Sequence, residues 1–191
     1  LAITHTGRRG AVLYPTGFGE ARELDFEGTG TLLWATFDPD SAHLFHVSQR
    51  PGESPMLHRA PLDGGPGETL WREPLRFDRF TGLPVSADGE RLVLQGQDGK
   101  AFELQWRTRT TRAIAGFAPN EIALSYDSTD GGLFVSNDDP FARVIVKLDL
   151  ATGARTAWRA LRLPDPRGVV FMGPPLLAAN GGQFAALPCT V

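Results

Sequence analysis

An all-β fold is predicted by three features of this 191-residue chain. Short stretches in which apolar and polar residues alternate recur along it, the period expected of strands buried on one face. The 22 Gly and 15 Pro are scattered without low-complexity tracts, which suits many tight turns, because Gly supplies positive φ and Pro a fixed φ. The phrase VSADGERLVL at 85–94 has an apolar lead, a polar turn with Asp-Gly at its tip and an alternating apolar exit, the pattern of a β-hairpin. A long amphipathic helix would need apolar residues at spacings of three and four, and Pro and Gly interrupt nearly every such window.

Variants of that phrase occur four times, as FDPDSAHLFHV (37–47), VSADGERLVL (85–94), SYDSTDGGLFV (125–135) and LAANGGQFAAL (177–187). With Asp40, Asp88, Asp130 and Asn180 in one turn position, the copies lie 48, 42 and 50 residues apart. That period matches the roughly 40 to 50 residues of one blade of a β-propeller. A sandwich of immunoglobulin type also has short strands, but does not require an Asp-Gly hairpin at this period.

Further strands can be placed behind each copy. PMLHRA (55–60) and ETLW (68–71) follow the first, AFELQW (101–106) and TRAIA (111–115) the second, and RVIVKLDL (143–150) and ARTAWRA (154–160) the third. Each unit is therefore expected to be a four-stranded antiparallel blade. Such a sheet cannot bury both faces alone, so blades must stack, and a ring removes the exposed ends. The N-terminal LAITHT (1–6), AVLYP (11–15) and ARELDF (21–26) match the second to fourth strands of a unit, and the C-terminus supplies an inner strand near 176–179 and a second, QFAAL, at 183–187. The expected blade parts are about 1–26, 29–71, 76–117, 120–160 and 163–191. This predicts about four blades, or a fragment of a larger propeller whose terminal strands pair elsewhere, with self-association through open sheet edges as a further expectation.

The copies resemble the turn-and-strand hairpin of TolB-like propeller repeats, SADGERLVL (86–94) most closely. The stretch from Val146 to Ala186 resembles the closing blades of propellers attached to bacterial serine/threonine kinases and winged-helix regulators. Ser41 stands where the repeat has the turn Gly, and Asn180 where it has Asp. The resemblance implies a non-catalytic sensor or scaffold module of a larger bacterial protein, taking a protein, peptide or small-molecule ligand, in a periplasmic or other extracytoplasmic setting. The alternative is a propeller enzyme, lactonase-like or hydrolase-associated, with its site at the central channel.

The 41% of hydrophobic residues suffices for a core, while the net charge of −3 and pI near 5.8 give no general attraction for polyanions, so nucleic acid is not an expected partner. The most apolar run, VVFMGPPLLAA (169–179), is split by Pro174 and Pro175 and falls short of the roughly 20 residues of a membrane-spanning helix. No membrane insertion is expected. The single cysteine, Cys189, cannot form an internal disulfide or a Cys-rich metal site.

Several groups could carry chemistry, and each has a structural explanation. His43 and His46, three apart on one strand, point to opposite faces and cannot chelate one ion together; His5 and His58 complete the set. Asp127, Asp130, Asn137, Asp138 and Asp139 could hold calcium, but their spacing is not that of a calcium loop and turn chemistry accounts for them. Arg107, Arg109 and Arg112, and Arg155, Arg159, Arg162 and Arg167, read as edge residues that keep sheets soluble. Trp34, Trp71, Trp106 and Trp158 read as packing between blades. No nucleophile elbow, kinase element or phosphate loop is present. No catalytic residue, cofactor or metal ligand is expected.

Overall fold

In a computed structural model the described residues are 2–4, 10–26, 30–65, 67–76, 82–139, 141–162, 167, 169–177, 182–185 and 188–190. Every regular element among them is a strand. No helix is long and apolar enough to cross a membrane.

The chain divides into two compact units, Leu1–Gly82 and Leu83–Val191. In the first, β1 (Ala2–Thr4), β2 (Gly10–Tyr14) and β3 (Arg22–Asp25) form one antiparallel sheet. A second sheet takes β4 (Thr31–Phe37), β5 (His43–Gln49), β6 (Met56–Pro61) and β7 (Glu68–Trp71) in sequence order. Between the two sheets lies a core of Ala11, Leu13, Leu24 and Phe26 from the first and Leu32, Ala35, Leu44, Ala60 and Leu62 from the second. Strand β5 is buried on both faces, as expected of a central strand covered on two sides.

The second unit repeats the plan. β8 (Arg91–Gln95), β9 (Ala101–Gln105) and β10 (Thr110–Ala113) form a sheet, and β11 (Glu121–Tyr126), β12 (Leu133–Asn137), β13 (Ala142–Leu148) and β14 (Arg155–Arg162) form another, again in sequence order. Their shared core is Val93, Ala101, Ile114, Ala123, Tyr126, Leu133, Val135 and Leu148. Towards the C-terminus β15 (Val169–Met172) pairs with β18 (Pro188–Thr190), and β16 (Leu176–Leu177) with β17 (Phe184–Ala185).

Two expectations change. Among the described residues the β8–β10 sheet has three strands instead of four, with a single bridge between Val85 and Leu92 where the innermost strand is expected. Pro84 accepts a bond from the Val93 amide but has no N–H to return, so the ladder cannot extend through it. At the C-terminus the expected pairing of an inner and a second strand is present as β16 and β17, and the β15–β18 pair is an addition.

The recurring turn has one chemistry in all three described copies, though the third is one residue longer: the Ser41 and Gly89 amides bond to the carbonyls of Asp38 and Ser86 three residues back, the Gly131 amide to Asp127 four residues back. The Oδ1 of Asp40, Asp88 and Asp130 each accepts a hydrogen bond from the backbone N–H two residues on, at Ala42, Glu90 and Gly132 respectively. The next residue is left-handed in every copy, with φ of 57° at Ser41, 72° at Gly89 and 74° at Gly131. An Asx-type turn followed by a positive φ explains both the Asp and the Gly of the phrase. Asn180 lies outside the described residues.

Candidate functional site

Strand pairing brings His46 of β5 directly opposite His58 of β6. The imidazoles stack with centroids 4.9 Å apart and planes 17° from parallel. Phe26, just after β3, covers the other face of His46 at 4.1 Å and 15°. The result is a three-ring stack from the first sheet into the second.

The two histidines retain only 1% and 5% of their accessible surface. Burial, followed by repulsion from His58, pushes the His46 imidazole down to about 3. Burial, followed by the positive charges of Arg72 and Arg50, pushes His58 down to about 4. Both rings are neutral at physiological pH, so each carries one N–H and one lone pair. His58 Nδ1 lies 3.2 Å from Thr69 Oγ1 of β7. His46 Nδ1 and His58 Nε2 are buried without any hydrogen-bond partner. Each such orphan costs about 1–3 kcal/mol.

These rings line a cleft of about 840 Å³ within the first unit. Asp25, Arg50, Glu53, Thr69 and Arg72 contribute its polar lining, with Gly64 and Gly65 beside them. Arg50 faces Glu53 at 3.9 Å. The volume is within the range of small-molecule sites.

The same place in the other sheets is apolar. At the start of each repeat turn the amide of Asp38, Ser86 or Asp127 bonds to the carbonyl of His43, Arg91 or Gly132, which aligns the strands that follow. Counting along them, His46 matches Leu94 and Val135, and the cross-strand partners are His58, Phe102 and Val146. A histidine pair therefore replaces Leu with Phe in one sheet and Val with Val in another.

The other candidates separate into structural contacts. His43, on the opposite face from His46, places Nδ1 2.8 Å from Asp40 Oδ2. Asp38, Asp40 and His43 cluster closely enough to suggest a metal site, but Arg59 spans the carboxylates, 2.8 Å from Asp38 and 2.7 Å from Asp40. The stacked His46 and His58 rings direct their in-plane lone pairs side by side, a poor arrangement for a shared ion. Asp127 and Asp130 together hold Lys147, Asp130 at 2.7 Å. Asn137 and Asp139 bond to the backbone around Ala142 at the far end of β12, and Asp138 faces Arg143 at 3.7 Å. The residues weighed for calcium are thus two separate turn systems.

Among the arginines, Arg107 pairs with Glu90, Arg112 with Glu103 and Arg155 with Glu121; Arg159 lies over Trp158 and Phe184. Trp106 donates to Gly89 O at 2.7 Å, and Trp158 packs edge-on between Phe134 and Phe184. Cys189 lies in β18. His5 falls outside the described residues.

Sequence reasoning missed the His46–His58 pair because it tested histidines along one strand. The usable signal was the β5–β6 hairpin register, which sets residue 46 against residue 58 once HLFHVSQ and MLHRAP are paired.

No protein-family model matches this chain, and no match was found among curated proteins. Solved structures do match. TolB from Acinetobacter baumannii superposes with a TM-score of 0.60 at 17% identity, over 95% of this chain and 44% of that one. A nidogen/laminin complex gives 0.68 at 15%, over 98% and 69%. The β-propeller domain of Myceliophteria thermophila Cps50 (Swd1) gives 0.57 at 15%, over 97% and 63%. The fold is a β-propeller fold. At these identities the likeness extends to the fold of the propeller alone, and the chain spans less than half the length of the first TolB structure.

Proposed function

We propose that this propeller is a non-catalytic binding module of a larger bacterial, extracytoplasmic protein, and that its ligand enters the cleft at His46 and His58. One observation carries the reading. Two buried neutral imidazoles present unpartnered nitrogens where the matching positions of the fourth sheet hold Val135 and Val146, so the polarity is not a requirement of the fold. Polar groups left unpaired in a dry site are satisfied when a ligand supplies the missing bonds.

The chemistry favours binding over turnover. An imidazole held near 4 is a weak base at neutral pH. His58 has a hydroxyl neighbour in Thr69, but its Nε2 lacks the carboxylate that orients a catalytic histidine.

Side-chain NMR of histidine-labelled protein during a small-molecule fragment screen tests the proposal. Ligands are expected to move the His46 and His58 ring signals and to lose affinity in the double variant His46→Val with His58→Val. Hits that bind with equal affinity to that variant would place the site elsewhere.

A further inference from the structure

Strand β14 closes the β11–β14 sheet and has no strand on its outer side among the described residues. The outer strands of the other sheets, β3, β7 and β10, have four residues each, whereas β14 has eight. Six of the eight are exposed. A short edge offers little to another chain, but a long one presents a row of unpaired N–H and C=O groups. The register of β14 shifts once, at Trp158, and residues 159–162 then pair regularly with residues 142–145 of β13.

The hydrogen bonds of β13 show which groups of that regular segment face outward. The Asn137 side chain of β12 donates to the Ala142 carbonyl and accepts from the Val144 amide, so the backbone groups of Ala142 and Val144 point toward β12. Their partners across the ladder are Arg162 and Ala160. In an antiparallel pair those two residues then direct their own N–H and C=O away from β13, to the free edge. The side chains along this edge have a definite chemistry. Val144, 48% exposed, stands opposite Ala160. The strand carries three arginines and no acid. Arg155 is held by Glu121, but Arg159, which lies over Trp158 and Phe184, and Arg162 have no carboxylate partner among the described residues.

From this geometry we infer that the β14 edge takes an acidic, extended peptide segment of a partner protein as a fifth strand. The main chain of the segment pairs with the outward groups of Ala160 and Arg162, and its side chains set the specificity. Successive residues of a strand alternate between faces, so Arg159 and Arg162 lie on opposite faces with Ala160 and Leu161 between them. The matching segment has two acids three residues apart, one opposite each arginine, and two apolar residues between them, one against Leu161 and one against Ala160 and Val144. Opposite charges and apolar pairs placed directly across a ladder stabilise it. This surface is separate from the cleft at His46 and His58 and does not depend on it.

Backbone amide exchange followed by NMR tests the inference, with the capped octapeptide acetyl-Thr-Val-Glu-Leu-Val-Glu-Thr-Val-amide and its counterpart with Lys in place of both Glu as probes. The acidic peptide is expected to slow exchange at the Ala160 and Arg162 amides and to bind about tenfold more tightly than the lysine peptide. Arg159→Glu with Arg162→Glu should reverse that preference. Ala160→Pro removes an outward N–H without taking a bond from the β13 ladder, and should abolish binding of the acidic peptide; if that variant does not fold, the charge reversal decides. Equal affinity for the two peptides, protection at another strand instead, or no binding of either at millimolar concentration would overturn the proposal and leave the arginines as residues that keep the edge soluble. A parent protein that self-associates and becomes monomeric on Ala160→Pro would make a second copy the occupant, which also overturns it.

Discussion

The two units build their inter-sheet cores from matching positions and treat polarity in opposite ways. In the first, Ala35, Phe37, Leu44, Ala60 and Leu62 pack on the neighbouring sheet, with Ala35 opposite His46 and Phe37 opposite Leu44. In the second, Ala123, Tyr126, Leu133, Leu148 and Leu150 occupy the same places, with Ala123 opposite Val135 and Tyr126 opposite Leu133. The second interface has a polar atom too, the Tyr126 hydroxyl, but Glu103 accepts its hydrogen bond at 3.1 Å. Glu103 also holds Arg91 at 3.4 Å and Arg112 at 2.8 Å, and burial with the nearby carboxylate raises the Tyr126 phenol. That network is closed. The first interface leaves His46 Nδ1 and His58 Nε2 buried without partners beside a cleft. A buried network whose members satisfy one another rigidifies the core, whereas one with missing partners has a stability cost unless something else completes it. The contrast separates a structural polar cluster from a candidate site.

The sharpest way to break this comparison is to move the histidines. Val135→His with Val146→His would bury two imidazoles in the second core without the cleft, and is expected to destabilise the protein by about 3 kcal/mol or more in urea titrations. A neutral result would mean that either interface tolerates the pair.

Acid titration gives an effect of similar size. Both histidines have folded values below the ordinary 6.5, at about 3 and about 4. The unfolded chain therefore binds protons that the folded chain does not. Stability is complete above 6.5 and falls as the pH drops from there toward 4 and 3. The contribution of the turn carboxylates Asp40, Asp88 and Asp130, all held below 3.8, is lost at lower pH still. Relative to its stability at pH 7.5, the parent should lose about 4 kcal/mol at pH 5, about 2 from each ring, that the double variant His46→Val with His58→Val retains. Parallel pH profiles for the two proteins would show that the rings are not buried neutral.

The smallest effect concerns the turn itself. Ser41 holds a left-handed φ of 57° where the other copies have Gly89 and Gly131. Ser41→Gly relieves that strain but adds freedom to the unfolded chain, so a gain of about 0.5–1 kcal/mol is expected in thermal melts. A loss would mean that the serine makes a contribution the other turns lack.

Much of the fold was legible along the chain because hairpins are local. Each turn phrase brings together residues within a few positions of one another, so Asp40, Asp88 and Asp130 can be equated from the sequence, and their Asx hydrogen bonds agree although the third turn closes over one more residue. The loss of the inner strand at Val85 was less visible, since SADGERLVL repeats the phrase well and the break comes from Pro84 just before it. The site was harder still. Its parts are Phe26 and Asp25 from one sheet, His46 and His58 from two strands of the next, and Arg72 beyond a fourth strand.

By itself, the order of residues determined the strand period, the turns and the four-stranded repeat, because backbone hydrogen bonding and φ preferences act between near neighbours. Only the tertiary structure decided that the two histidines, set opposite each other by their hairpin, would be buried under Phe26 and left unpartnered, because burial depends on which sheet packs against which, and no local pattern encodes that.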